Sequence, residues 1–100
     1  MTNEFQNYFV RQLSSDSYKP SEAVYEIQMM NAEGQAEICA YLDQEASKIV
    51  CAISLLTPPG PTRIDPSVLQ IPNAVIEAAR QRKVGSGERV NSRGEILPPF

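Results

Sequence analysis

Between Ser21 and Leu56, apolar residues fall on every second position in three successive runs. Ala23, Tyr25, Ile27 and Met29 alternate with Glu22, Val24, Glu26 and Gln28. Ala36, Ile38, Ala40 and Leu42 alternate with Gln35, Glu37, Cys39, Tyr41 and Asp43, and Ile49, Cys51, Ile53 and Leu55 alternate with Lys48, Val50, Ala52 and Ser54. A period of two places one side-chain set on a buried face and the other outward, which is the mark of a strand. A helix through the same stretch would carry Gly34 in its middle and scatter its apolar residues around the axis. The turns suggest a register. Asn31-Ala32-Glu33-Gly34 has the chemistry of a tight hairpin loop. With Met30 facing Gln35, Ile27 meets Ile38 and Tyr25 meets Ala40. Across the second loop, Gln44 to Ser47, Leu42 meets Ile49 and Ala40 meets Cys51. The expectation is a three-stranded antiparallel meander over about 22–30, 36–43 and 48–56.

The flanks complete an α+β reading. Phe5, Phe9 and Leu13 recur every four residues, and Asn3 with Gln6 has capping-box chemistry, which predicts an N-terminal helix. Tyr8, Phe9 and Val10 favour a strand as the competing reading. Ser14 to Pro20 is polar and reads as a surface loop. Thr57-Pro58-Pro59-Gly60-Pro61 ends the third strand in a stiff connector. Asp65-Pro66-Ser67 reads as a cap followed by a first-turn proline. A C-terminal helix is predicted over about 72–84, with Val75, Ile76 and Ala79 as its apolar stripe and Gly85 and Gly87 ending it. Residues 1–84 then form one domain, and residues 85–100 form an extension that docks on its own sheet or on a partner. In topology this order, helix, three strands, helix, resembles the double-stranded RNA-binding domain. That module opens its last helix with a basic cluster, where this chain reads Ile71-Pro72-Asn73-Ala74, and no family is assigned.

Several chemistries lack their residues. The chain has no His, which removes the commonest general base and metal ligand. No phosphate-binding glycine motif or nucleophile elbow is present. In the expected register Cys39 and Cys51 point to opposite faces, so neither a disulfide nor a metal site is expected. Glu26 and Glu37 become diagonal neighbours on the outward face, where paired carboxylates are usually solvated charges. No catalytic residue, metal or cofactor is assigned.

The expected function is therefore non-enzymatic binding of another protein, as an adaptor, assembly factor or inhibitor, with a homodimer as a further form. Val24, Tyr41 and Val50 on the outward face and Ile96, Leu97 and Phe100 in the apolar C-terminal stretch are the candidate contacts. Nucleic-acid binding is the alternative. Net charge is −3, yet residues 61–100 hold six bases against four acids. Arg80, Arg82, Lys83, Arg89 and Arg93 would form that footprint. No apolar run is long enough to span a membrane, Thr2 to Asn7 is polar, unlike a signal peptide, and a cytoplasmic protein is expected.

Overall fold

The three alternating runs are strands, but they are the middle of a larger sheet. The computed structural model describes residues 7–14, 23–31, 33–45, 49–55, 61–84 and 87–97. Its strands are β1 (Asn7–Gln12), β2 (Tyr25–Met30), β3 (Ala36–Leu42), β4 (Ile49–Ser54), β5 (Thr62–Arg63) and β6 (Gly87–Asn91). They form one antiparallel sheet in the order β5-β4-β3-β2-β1-β6. A 3-10 turn (Pro66–Val68) and one helix, α1 (Asn73–Arg80), complete the described elements.

This corrects the expected architecture of a three-stranded meander between two helices. The segment expected as an N-terminal helix is β1, with Tyr8 and Val10 buried and Asn7, Phe9 and Arg11 only half-buried. Its period is two. The four-residue spacing of Phe5, Phe9 and Leu13 misleads because both faces of β1 carry aromatic or apolar residues, and Phe5 lies outside the described residues. With β1 a strand, the topological resemblance to the RNA-binding module also lapses. The second expected helix exists but is shorter, ending at Arg80 with Gln81 as its cap. There the Arg82 Nε donates to the Ala78 carbonyl at 3.1 Å and satisfies part of the terminus. Asp65 caps the 3-10 turn, accepting from Ser67 N at 3.0 Å, and these hydrogen bonds hold its carboxyl below the usual range. Beyond residue 84, β6 lies in the sheet beside β1, and Ile96 bridges back to Val90.

The β2–β3 register differs from expectation by two residues, so the faces are preserved. The loop closes at Asn31 and Gln35, with Asn31 N donating to Gln35 O at 2.9 Å. A bulge then leaves Glu37 without a partner between Met30↔Ala36 and Met29↔Ile38, so that Ile27 faces Ala40 and Tyr25 faces Leu42. Between β3 and β4 the shift is one residue, and that does change faces. Leu42 faces Ile49 as expected, but Val50 is an extra residue, Tyr41 faces Cys51 and Ala40 faces Ala52. Cys51 and Cys39 therefore share a face, which corrects the opposite-face expectation.

The sheet has two apolar faces. On one, α1 packs its buried Val75, Ala78 and Ala79 against Tyr8, Val10, Tyr25, Ile27, Met29, Ala40, Leu42 and Val90. Val10, Ile27, Leu42, Met29, Val75 and Val90 are its largest fully buried side chains, each stabilising by about 1.5–3 kcal/mol relative to exposure. The opposite face, here the outer face, holds a second cluster of Leu13, Ala23, Cys39, Tyr41 and Cys51, with Val50, Ile53 and Leu55 packed against it.

Candidate functional site

The outer face is organised around a buried acid. Glu26 is 4% exposed, and it lies opposite Arg11 on β1 and Tyr41 on β3. Arg11 Nη2 reaches Glu26 Oε1 at 2.8 Å, Gln28 Nε2 donates to the same oxygen at 3.3 Å, and Cys39 Sγ donates to Oε2 at 3.3 Å. A buried charge persists only when paired and hydrogen-bonded in this way. Glu26 had been expected as a solvated charge beside Glu37. The two-residue register shift puts Tyr41 across from it instead, so the two glutamates are not diagonal neighbours.

The cluster holds its acidic hydrogens. Burial pushes the Cys39 thiol up to about 12, with the Glu26 charge and hydrogen bond adding to the rise and Tyr41 and Arg11 opposing it. Burial also raises the Tyr41 phenol, helped by hydrogen bonds and charge from Cys39 and Glu26. A thiol and a phenol kept protonated are poor nucleophiles. Cys39 and Cys51 are both free and buried. They are diagonal across β3 and β4, since Cys39 faces Ile53 and Cys51 faces Tyr41. Among the described residues no group of three His, Cys, Asp or Glu side chains could hold a metal ion.

Toward β6 the same face opens. Phe9 lies between Arg89 on β6 and Gln28 on β2. Its ring rests over Gly87, where a Cβ would run into the ring at Cζ. Gly87 itself faces Arg11. A glycine on an edge strand thus receives a neighbouring aromatic ring. Further along, Asn7, Asn91, Ser92, Arg93 and Glu95 line a shallow polar hollow of about 300 Å³.

The sequence-derived candidates separate in space. Tyr41 is buried in the outer cluster and Val50 is packed against it, whereas Val24 packs against the core under α1. Ile96 is 56% exposed beside Val90, Leu97 is half-buried with its N–H donating to Arg89 O at 2.8 Å, and Phe100 lies outside the described residues. The five bases are spread over the end of α1, β6 and the turn after it. Arg80 and Lys83 are exposed at the end of α1, Arg82 pairs with Glu88 at 3.6 Å, Arg89 is on the outer face, and Arg93 is exposed in the turn after β6. Among the described residues the end strands of the sheet offer little ladder for a second copy. β5 is two residues long between Pro61 and Pro66, and Ile96-Leu97 is followed in sequence by Pro98-Pro99. Phe9, Arg11 and Gly87 were missed because β1 was expected as a helix and β6 as part of a tail. One signal was available: Asn91-Ser92-Arg93-Gly94-Glu95 repeats the pattern of Asn31-Ala32-Glu33-Gly34-Gln35.

No family model, curated protein or solved structure matches the chain. Among the described residues no helix is long and apolar enough to cross a membrane.

Proposed function

We infer that the chain is a non-catalytic module that binds another protein through the β6–β1–β2 part of its outer face. The observation behind this reading is the partly exposed Phe9, packed over Gly87 and opposite Arg89, with Arg11 facing Gly87 and paired in turn with buried Glu26. Aromatic and arginine side chains dominate binding energy at protein interfaces, and a ring and guanidinium already held in place lose little entropy on binding. The protonated state of Cys39 and Tyr41 supports a binding role over a nucleophilic one. The dispersal of Arg80, Arg82, Lys83, Arg89 and Arg93 weighs against a nucleic-acid footprint, which needs clustered charge.

The test is affinity capture from the source cell's extract with the intact chain, Phe9→Ser and Arg80→Ala, each checked for folding by circular dichroism, with and without nuclease. A discrete protein partner that survives nuclease, is kept by Arg80→Ala and is lost with Phe9→Ser supports the reading. Recovery that disappears with nuclease, or that a folded Phe9→Ser chain retains in full, overturns it.

A further inference from the structure

β4 reads Ile49-Val50-Cys51-Ala52-Ile53-Ser54, five apolar residues in succession. It runs between two apolar clusters, one under α1 and one on the outer face, and each accepts apolar side chains. In the structure Ile49 packs toward α1, Val50 is the bulged residue, and Val50, Cys51, Ile53 and Leu55 pack with the outer cluster. Ala52, facing Ala40, takes the α1 side. Without the bulge, and with Leu42 still facing Ile49, the strand would place Cys51, Ile53 and Leu55 toward α1 and Val50, Ala52 and Ser54 outward. Register is strongly specified where only one face is buried, because a one-residue slip then exposes the apolar set. Here the slip moves that set from one core to the other. On its far side, among the described residues, β4 meets the exposed pair Thr62–Arg63 and the 3-10 turn, and Ile64 N donates to Ala52 O at 3.0 Å.

We propose that β4 exchanges between two registers hinged at the Leu42–Ile49 pair, carrying Cys51 and Ile53 between the two faces of the sheet. The bulged register is the major state. The slipped register withdraws Cys51 and Ile53 from Tyr41 and Cys39 and so uncovers the centre of the outer face. A ligand that contacts Tyr41 and Cys39 only when they are uncovered shifts the balance by its difference in affinity for the two states.

Disulfide trapping separates the registers. In the slipped register residue 40 faces Cys51, and in the bulged register it faces residue 52. One chain carries Cys39→Ser and Ala40→Cys and keeps Cys51. Its control carries Cys39→Ser, Cys51→Ser, Ala40→Cys and Ala52→Cys. In a glutathione redox buffer the control closes first. The 40–51 pair closes about 10- to 1,000-fold more slowly, as expected for a minor state of that population, and the product keeps a dispersed amide spectrum. A control that closes while the 40–51 pair stays open overturns the proposal, as does a 40–51 product with a collapsed spectrum, which marks capture of an unfolded chain. Should the variants not fold, amide relaxation dispersion on the unaltered chain decides. Exchange centred on residues 49–54 is expected, and flat profiles there overturn the proposal.

Discussion

Two hairpins in this molecule are closed by the same turn. After β2, Asn31 Oδ1 accepts from Glu33 N at 3.0 Å and Gln35 N at 2.9 Å, while Gly34 N donates to Asn31 O at 3.0 Å with φ +82°. After β6, Asn91 Oδ1 accepts from Arg93 N at 2.9 Å and Glu95 N at 3.0 Å, while Gly94 N donates to Asn91 O at 2.9 Å with φ +79°. Both Asn side chains also donate across the loop, to Gln35 Oε1 at 3.3 Å and to Glu95 Oε1 at 2.8 Å. Five residues of like pattern give like local structure. Yet the first turn leads into the seven-residue β3 and the second into a single bridge at Ile96. The turn chemistry reverses the chain; the residues beyond it decide how far the ladder runs. β3 feeds Ala40 and Leu42 to one core and Cys39 and Tyr41 to the other, whereas Leu97 is followed in sequence by two prolines that have no N–H to donate.

The two glycines test the comparison most sharply. A Cβ at Gly34 meets nothing within 4 Å, while one at Gly94 comes within 2.6 Å of the Ala74 carbonyl oxygen at the start of α1. Gly34→Ala carries only left-handed backbone strain and should cost about 1 kcal/mol. Gly94→Ala adds overpacking against a backbone atom and should cost about 3 kcal/mol. Urea denaturation of the two variants checks this. Equal losses would mean that the second hairpin does not rest on α1.

The Arg11–Glu26 pair bears on the first hairpin in a second way, since it ties β1 to β2. Arg11→Ala leaves Glu26 buried without its cation and should cost about 2 kcal/mol, a figure held down because the Arg11 side chain is 36% exposed. Hydrogen exchange should quicken in β2 and β3 more than in β6. Alkali reaches the same cluster. The folded-state Cys39 value of about 12 lies above its ordinary value of 9.0, so the unfolded chain loses that proton first. The contribution is complete below pH 9 and is lost as pH rises from about 9 toward 12. Tyr41, also raised, acts in the same direction. Stability measured at pH 7, 9 and 10 should fall, and Cys39→Ser should flatten the first part of that fall.

The contrast also explains what could be read in advance. The first hairpin was legible because Asn31 and Gly34 carry turn chemistry and β2 and β3 alternate cleanly. β1 was not, since Phe9 on the outer face and Tyr8 and Val10 on the inner face are all strand or helix formers. β4 was not, because five consecutive apolar residues have no period to reveal the bulge at Val50. β6 was hidden for the opposite reason: Val90 is its one buried side chain, so no apolar alternation marks it. The outer-face site followed these errors, as Glu26 looks solvated until Arg11 is placed on a neighbouring strand.

The smallest expected effect is at Ile96. Its pairing with Val90 puts it at the margin of the α1 face, where it remains 56% exposed. The bridge is held by backbone hydrogen bonds, Asn91 N to Glu95 O at 3.0 Å and Leu97 N to Arg89 O at 2.8 Å, which survive a change of side chain. Ile96→Ser should therefore cost less than about 0.5 kcal/mol. Ala36 holds the matching place in the first hairpin, opposite Met30, and there too the side chain is only half-buried. A loss of about 2 kcal/mol in urea denaturation of Ile96→Ser would instead assign the second hairpin an apolar anchor of its own, and its short ladder would then be a buried element on a par with β3.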